Sequence, residues 1–228
     1  MGIRTNVLIV DDHPFIIQGY INGLNGYNTK NCKGKYDFVV TEAKDCRTGY
    51  EAIKAEGIEP FDIAFFDLSM PIYEKMSIFS GEDLAILLRR EMPDCKIIIL
   101  TMYAELFKLN NIIKSINPNG LVIKIDLDFK ELLVGFDKIF NDERYYSKSV
   151  VEVISQSKDD SFELDKIDKL ILIHLTKGTK TKDIPQYTSI SLIEIDKRKS
   201  SIKESLGIPN GSDFDLVVET KNRGLLLE

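Results

Sequence analysis

Short apolar runs alternate with amphipathic segments over roughly the first two thirds of the chain. Five runs of three to six residues have the composition of buried or half-buried strands, at 6–10, 38–43, 62–66, 96–100 and 121–123. Segments with apolar residues at helical spacing follow them, at 14–22, 48–56, 81–91, 105–116 and 129–140. This alternation predicts a doubly wound α/β domain of the flavodoxin type, with a five-stranded parallel sheet. The Gly-, Asn- and Lys-rich segment 23–35 and the mixed segment 71–80 are predicted loops.

The pattern changes after residue 161, where only helical periodicity remains. Helices are predicted at 164–175, 182–187, 191–206 and 212–222. The third begins with a capping-box pattern, in which Ser191 is followed three residues later by Glu194. We therefore predict an α/β domain at 1–147, a linker at 148–161 that is part helix and part polar segment, and a small four-helix domain at 162–228.

Charge and cysteine content indicate which partners and which cellular compartment to expect. The chain carries 30 basic and 36 acidic residues, and residues 161–228 hold 11 of each, so the net charge of −6 lies in the first 160 residues. A neutral second domain argues mildly against nucleic acid binding. Three scattered cysteines without a CxxC spacing indicate free thiols in a reducing compartment. The sequence shows no signal peptide or membrane span, so we expect a cytoplasmic protein.

Polar side chains follow four of the five predicted strands. They are Asp11 with Asp12, then Asp67, Thr101 and Lys124. The carboxyl ends of parallel strands meet at one edge of a sheet, so these groups are expected to share a crevice. Clustered carboxylates favour a hard cation such as Mg²⁺, and a hydroxyl and an ammonium suit phosphoryl oxygens. Each residue alone is more often a turn cap, but the set together predicts a phosphoryl-transfer site with Asp67 as the acceptor.

These residues carry a resemblance to a known family. DDHPFIIQGY (11–20), DLSMP (67–71), Thr101 and Lys124 look like the receiver domain of two-component response regulators, and the first stretch resembles the NarL/FixJ class in particular. The segment ERYYS (143–147) is similar to the one that closes receivers of that class.

The resemblance implies a role for each site residue. Asp67 would accept a phosphoryl group from a sensor histidine kinase, Thr101 would be the switch hydroxyl, and Lys124 would pair with the phosphate. Mg²⁺ would be held by Asp12, Asp67 and the backbone carbonyl of Ser69, with Asp11 acting mainly through bound water. His13 would be a turn-forming or packing residue. Four departures from the family pattern stand out: an insertion after Pro71, another at 23–35, Leu121 in place of an aromatic residue, and Ile125 in place of a proline.

The second domain resembles a LuxR-type helix-turn-helix domain over residues 164–227. The resemblance implies DNA binding by a dimer that forms on phosphorylation, with 191–206 as the recognition helix. Its basic residues are the predicted DNA contacts: Lys197, Arg198, Lys199 and Lys203. Asp196 and Pro185 argue against ordinary DNA binding, and Glu194 is placed to pair with Arg198.

Two functions remain open from the sequence. The first is a phosphorylation-controlled transcription regulator, and the second is a phosphoswitch whose helical domain binds a protein. An aspartate-nucleophile phosphatase is disfavoured, because such enzymes commonly carry an acid/base Asp where this chain has Ser69. We therefore expect a regulator and not an enzyme.

Overall fold

The computed structural model describes residues 2–155, 164–222 and 225. The described residues belong to two compact units, one built around a sheet and one all-helical. Among them, no helix combines the length and the apolar character needed to cross a membrane. The remainder of the predicted linker, 156–161, lies outside the described residues.

The first unit contains a six-stranded parallel sheet in the order β2-β1-β3-β4-β5-β6. Its strands are β1 (Ile3–Val10), β2 (Tyr36–Ala43), β3 (Ile63–Asp67), β4 (Lys96–Thr101), β5 (Gly120–Ile123) and β6 (Tyr145–Tyr146). The doubly wound parallel fold is confirmed, but the predicted number of five strands is wrong by one. The sixth strand has only two residues, paired with Gly120 and Leu121 of β5, which is too short for an alternation pattern to reveal.

Five helices and two 3₁₀ turns connect the strands, and a sixth helix follows the last strand. The helices are α1 (Pro14–Lys30), α2 (Cys46–Lys54), α3 (Gly81–Glu91), α4 (Leu106–Ile116), α5 (Phe129–Phe140) and α6 (Lys148–Ser155). The 3₁₀ turns are Glu74–Met76 and Lys124–Asp126. The central strand shows why both sheet faces need helices: all five residues of β3 are buried. Ile63 and Phe65 join the core that α1 and α5 cover, so Ala64 and Phe66 face the opposite side.

Helix α1 continues to Lys30, so the predicted loop at 23–35 is wrong over most of its length. Its glycines indicate close helix packing instead of a turn. A Cβ added at Gly23 would lie 2.3 Å from Leu132 Cδ2 on α5, so a larger residue here would require the Leu132 side chain to move. Leu24 and Tyr27, on the same face, are buried.

Helix α6 occupies the first part of the predicted linker and packs against β5. Asp126 fixes the start of this helix. Its carboxylate accepts hydrogen bonds from the Ser147 hydroxyl at 2.6 Å and from the Ser149 hydroxyl and N–H at 2.7 and 3.1 Å. Burial raises the pKa of Asp126, but these hydrogen bonds outweigh it and hold the pKa below its ordinary value. The segment that leaves the sheet is thus anchored to the loop after β5.

The second unit contains α7 (Lys166–Thr176), a 3₁₀ helix (Thr181–Gln186), α8 (Leu192–Ser205) and α9 (Asp213–Asn222). The predicted second helix is therefore a 3₁₀ helix and not an α-helix. Pro185 lies inside it and has no N–H to donate to an α-helical ladder. Two apolar clusters hold the unit together: Leu172, Ile202, Leu206, Leu216 and Leu225, and Ile171, Ile184 and Ile195.

Candidate functional site

Strand register brings the predicted site residues to one edge of the sheet. Val10 pairs with Phe66, so Asp11 and Asp67, one residue further along, are level with each other. Asp67 pairs with Leu100, immediately before Thr101, and Thr101 pairs with Ile123, immediately before Lys124. The four polar residues therefore lie at the carboxyl ends of four neighbouring strands, and their positions along the strand direction differ by at most two residues.

Lys124 joins the two buried carboxylates of this edge. Its Nζ lies 2.9 Å from Asp11 Oδ2 and 3.0 Å from Asp67 Oδ2. The side chains of Asp11 and Asp67 are only 1% and 5% exposed, so two negative charges lie close together with little access to water. Such a pair is costly unless a cation is present, and Lys124 supplies one.

The pKa of Asp67 lies above its ordinary value. Burial is the main cause, because it disfavours the charged form. The Lys124 ammonium opposes the shift, the neighbouring Asp11 carboxylate adds to it, and the Ser69 N–H lowers it by a hydrogen bond. At Asp67, therefore, burial disfavours the charged carboxylate, and the Lys124 ammonium partly offsets this effect.

Asp12 is a further acidic residue of the site, and it is partly exposed to solvent. Asp12 is 31% exposed at its side chain, and the ligand-type atoms of Asp11, Asp12, His13 and Asp67 all lie within 4.8 Å of one another. The buried Oδ1 atom of Asp12 accepts no hydrogen bond from the described residues, although His13 Nδ1 lies 2.6 Å away. Asp12 Oδ1, together with the neighbouring carboxylates of Asp11 and Asp67, fits a divalent cation with oxygen ligands.

His13 is closer to this chemistry than the sequence indicates. Its backbone N–H donates to Asp11 Oδ1 at 2.9 Å, which is the turn-forming role that was expected. Its exposed ring, however, lies against the carboxylates of Asp11 and Asp12. In the sequence, this placement of the His13 ring is indicated only by its position directly after Asp11 and Asp12.

Thr101 is fully buried and ends β4 beside the site. Its Oγ1 accepts a hydrogen bond from the Tyr103 N–H at 3.0 Å. The Tyr103 hydroxyl in turn lies 3.5 Å from the Ser69 Oγ, two residues beyond Asp67. The loops after β3 and β4 therefore meet through Tyr103.

The insertion after Pro71 is a folded loop. Tyr73 and Ile78 form an antiparallel bridge around the 3₁₀ turn, and Ile78 is buried. The loop returns the chain to Gly81 at the start of α3, where a Cβ would lie 1.8 Å from the Asp67 carbonyl oxygen. Glycine is required here because the helix begins against the backbone of Asp67 itself.

The family model of the response regulator receiver domain matches residues 7–133, which include every residue of this site. The chain belongs to the response regulator receiver family. Its two-unit arrangement agrees with the NarL/FixJ resemblance, and the sheet unit is called the receiver domain from here on.

Relatives with both units extend the match beyond the receiver domain. The oxygen regulatory protein NreC of Staphylococcus epidermidis is 26% identical over 215 residues, which cover 89% of this chain and 91% of NreC. NreC of Staphylococcus aureus is also 26% identical, over 214 residues.

Solved structures of RcsB share the fold of the chain. RcsB from Salmonella enterica serovar Typhimurium, bound to a promoter in the presence of the phosphomimetic BeF₃⁻, matches with a TM-score of 0.63 at 21% identity, covering 96% of this chain and 98% of that one. A structure of two RcsB dimers bound to two parallel DNAs matches with a TM-score of 0.56 at 21% identity, with the same coverage.

The four predicted DNA contacts on α8 have different environments. Arg198 is the most heavily engaged: its guanidinium lies 2.6 Å from Asp165, 2.9 Å from Asp168 and 3.1 Å from Glu194. The predicted Glu194–Arg198 pair is present. Only half of the capping box forms, since Ser191 Oγ accepts from the Glu194 N–H while the Glu194 side chain binds Arg198.

Lys199 and Lys203 are also engaged within their own unit. Lys199 Nζ lies 2.6 Å from Asp213 Oδ2 and donates to Thr181 Oγ1 at 2.7 Å, and its side chain is 9% exposed. Lys203 Nζ lies 3.2 Å from Asp213 Oδ1. In this structure, therefore, three of the four residues bind carboxylates, and only Lys197 is exposed without an ion pair to any described residue.

Replacing Gly81 tests its contact with Asp67. Gly81→Ala should displace the Asp67 backbone and slow phosphorylation by acetyl phosphate roughly 100-fold, as expected when a reacting group moves by about 1 Å. Gly19→Ala is the matched control, because the open space around this exposed α1 residue should make alanine stabilising by about 0.5–1 kcal/mol. An unchanged rate in Gly81→Ala would show that the contact does not position Asp67.

The raised pKa of Asp67 gives a pH-dependent prediction. A carboxyl whose folded pKa exceeds its unfolded pKa contributes stability at low pH, and this contribution is lost as pH rises through the folded pKa. Asp67→Asn should therefore melt at a higher temperature than the wild type at pH 7 without divalent ions, and the difference should shrink as pH falls toward about 4. A variant that melts lower at pH 7 would contradict this environment for Asp67.

Proposed function

We propose that this chain is a phosphorylation-controlled transcription regulator, in which Asp67 accepts a phosphoryl group and the helical unit binds DNA. The observation that carries the proposal is the buried Asp67 carboxylate, held 3.0 Å from Lys124 beside Asp11 and Asp12 at the end of β3. This arrangement supplies a nucleophile, a cation and a set of metal ligands at a single edge of the sheet.

The donor that fits this site is the phosphohistidine of a sensor histidine kinase. An Asp67 carboxylate oxygen attacks the phosphorus while the bond between phosphorus and the histidine nitrogen breaks, and the nitrogen keeps the electron pair. The product is an acyl phosphate on Asp67 and a neutral or protonated imidazole on the donor. Lys124 would then pair with a phosphoryl oxygen, and the Thr101 hydroxyl would donate to another.

The acidic groups of the site fit Mg²⁺. Asp11, Asp12 and Asp67, with the backbone carbonyl of Ser69, would hold the ion, and the close grouping of the three carboxylates supports this assignment. When bound, the ion supplies positive charge that lowers the repulsion between the carboxylates and the incoming phosphoryl oxygens. Asp11 also keeps Lys124 in place through their 2.9 Å ion pair.

Two routes that include hydrogen bonds lead outward from Asp67. One begins at Thr101, whose Oγ1 is bonded to the Tyr103 N–H, so recruitment of the hydroxyl by a phosphoryl oxygen breaks or bends this contact. The other begins at Lys124, which lies two residues before Asp126, the residue that anchors α6. A shift of Lys124 toward the phosphoryl group would therefore move Asp126 and, through its hydrogen bonds, the start of α6, the helix that precedes the second unit in the chain.

The helical unit is proposed to act on DNA through α8. NreC is named as an oxygen regulatory protein, and RcsB structures were solved on promoters and as dimers on DNA, which supports the same role for a chain of this architecture. Phosphorylation would favour a dimer, which reads two half-sites of DNA. Weak non-specific affinity is expected, because few basic residues of α8 are available for phosphates.

The ion pairs of α8 favour a second candidate function, a phosphoswitch whose helical unit binds a protein. Carboxylates of the same unit bind Arg198, Lys199 and Lys203, so the surface of α8 is much less basic than its sequence. A phosphoswitch whose helical unit binds a protein would tolerate this neutral surface better than a DNA-binding protein would.

DNA binding by the full chain, with and without beryllium fluoride and Mg²⁺, distinguishes the two functions. Wild type should bind duplex DNA more tightly after treatment, and Asp67→Ala should not respond. Lys197→Gln should weaken binding and reduce the slope of log affinity against log salt by about 0.9, with unchanged stability. Arg198→Gln should instead destabilise the helical unit by roughly 1–3 kcal/mol, because three carboxylates lose their partner.

Failure of this experiment has a clear meaning. If neither the treated wild type nor Asp196→Lys binds duplex DNA at low salt, then DNA binding is excluded and the protein-binding phosphoswitch is favoured.

A further inference from the structure

The outer face of α8 differs from the basic face that its sequence suggests. Arg198, Lys199 and Lys203 are 24%, 9% and 14% exposed at their side chains, and each binds carboxylates of the same unit. The exposed residues lie at other positions of the helix, and four of them are Ile193, Asp196, Lys197 and Ser200. Their spacing of three, four and seven places them on a single stripe, which we call the outer stripe.

Asp196 is the acidic residue at the centre of the outer stripe. Its side chain is 60% exposed, and its Oδ1 lies 3.7 Å from Lys199 Nζ. That lysine is much closer to Asp213, at 2.6 Å, and also binds Thr181, so it neutralises Asp196 only weakly. Ser200 donates its hydroxyl to the backbone carbonyl of Asp196 and not to the carboxylate. The carboxylate therefore keeps most of its capacity to accept hydrogen bonds.

We propose that Asp196 is a specificity-determining residue, whose carboxylate selects cytosine in the major groove. The inference rests on the DNA binding proposed above and names the base that the helix reads. A carboxylate repels phosphate, so Asp196 on a DNA-bound α8 is favourable only where it meets a hydrogen-bond donor. The donors on the major-groove edge are the amino groups of cytosine and adenine.

The two amino groups are not equivalent for a carboxylate. An ionised Asp has acceptors only, and adenine presents its N7 acceptor directly beside the N6 amino group. Guanine presents the acceptors N7 and O6, and thymine presents the acceptor O4. Cytosine is the base that offers an amino group without an adjacent acceptor of its own, so it is the preferred partner of Asp196. Lys197, next to it on the helix, supplies the positive charge that the neighbouring phosphates require.

The test is a selection from a randomised duplex DNA library, performed with the full chain in the presence of beryllium fluoride and Mg²⁺. Wild type should select a motif with cytosine at one position of each half-site. Asp196→Asn should select adenine at this position, because the asparagine amide donates to N7 while accepting from N6. On duplexes that differ only there, wild type should prefer cytosine by roughly 5- to 100-fold, and the variant should prefer adenine.

Two further variants make the result specific to this carboxylate. Glu204→Gln is the matched control, since it removes one exposed negative charge from the same helix two turns further along, and it should select the wild-type motif. Asp196→Ala should lose the preference for cytosine without gaining one for adenine. Thermal melting of each variant confirms that the helical unit is folded.

Two outcomes would overturn the inference in distinguishable ways. If Asp196→Asn and Asp196→Ala select the wild-type motif with the wild-type preference, then DNA binding stands and base selection by Asp196 is wrong. If the treated wild type enriches no duplex from the library, then both the inference and the DNA-binding function are wrong.

Discussion

The contact between the Lys124 ammonium and the carboxylates of Asp11 and Asp67 is the interaction on which the receiver site depends. Two almost fully buried carboxylates at neighbouring strand ends are unfavourable together, and burial already raises the pKa of Asp67. Lys124 opposes this shift and so favours the ionised form of Asp67, the form that the proposed function requires of a nucleophile. In the proposed function, the same ammonium would pair with a phosphoryl group on Asp67, so the group that stabilises the resting site would also stabilise the product.

The remainder of the receiver domain holds these three groups in place. Parallel register sets Asp11 and Asp67 at one level of the sheet and places Lys124 two residues further along at the same edge. Gly81 lets α3 begin against the carbonyl oxygen of Asp67, and the folded insertion before it delivers the chain to this point. Asp126 fixes the loop after Lys124 to α6. The position of Lys124 is therefore connected through hydrogen bonds to the segment that leads out of the domain.

The sequence was sufficient for what depends on periodicity and on polar residues at strand ends. Strand–helix alternation predicted the doubly wound sheet, and the residues after each strand predicted the site, since both follow from general rules for parallel sheets. The sequence was insufficient where the same residue types occur in two different structural settings. The glycines of α1 resembled a loop but serve helix packing at Leu132, and a two-residue strand such as β6 has no period to detect. The basic residues of α8 resembled DNA contacts, and only the fold reveals that Asp165, Asp168 and Asp213 bind them.

The central claim is that Asp67 accepts a phosphoryl group with the help of this site. Intact-mass measurement after incubation with acetyl phosphate and Mg²⁺ tests it most directly, on the wild type and on Asp67→Ala. We predict that the wild type gains one phosphoryl group, that chelation of Mg²⁺ prevents the gain, and that Asp67→Ala gains none. A wild-type protein that gains no phosphoryl mass, or an Asp67→Ala protein that gains as much as the wild type, would contradict the account.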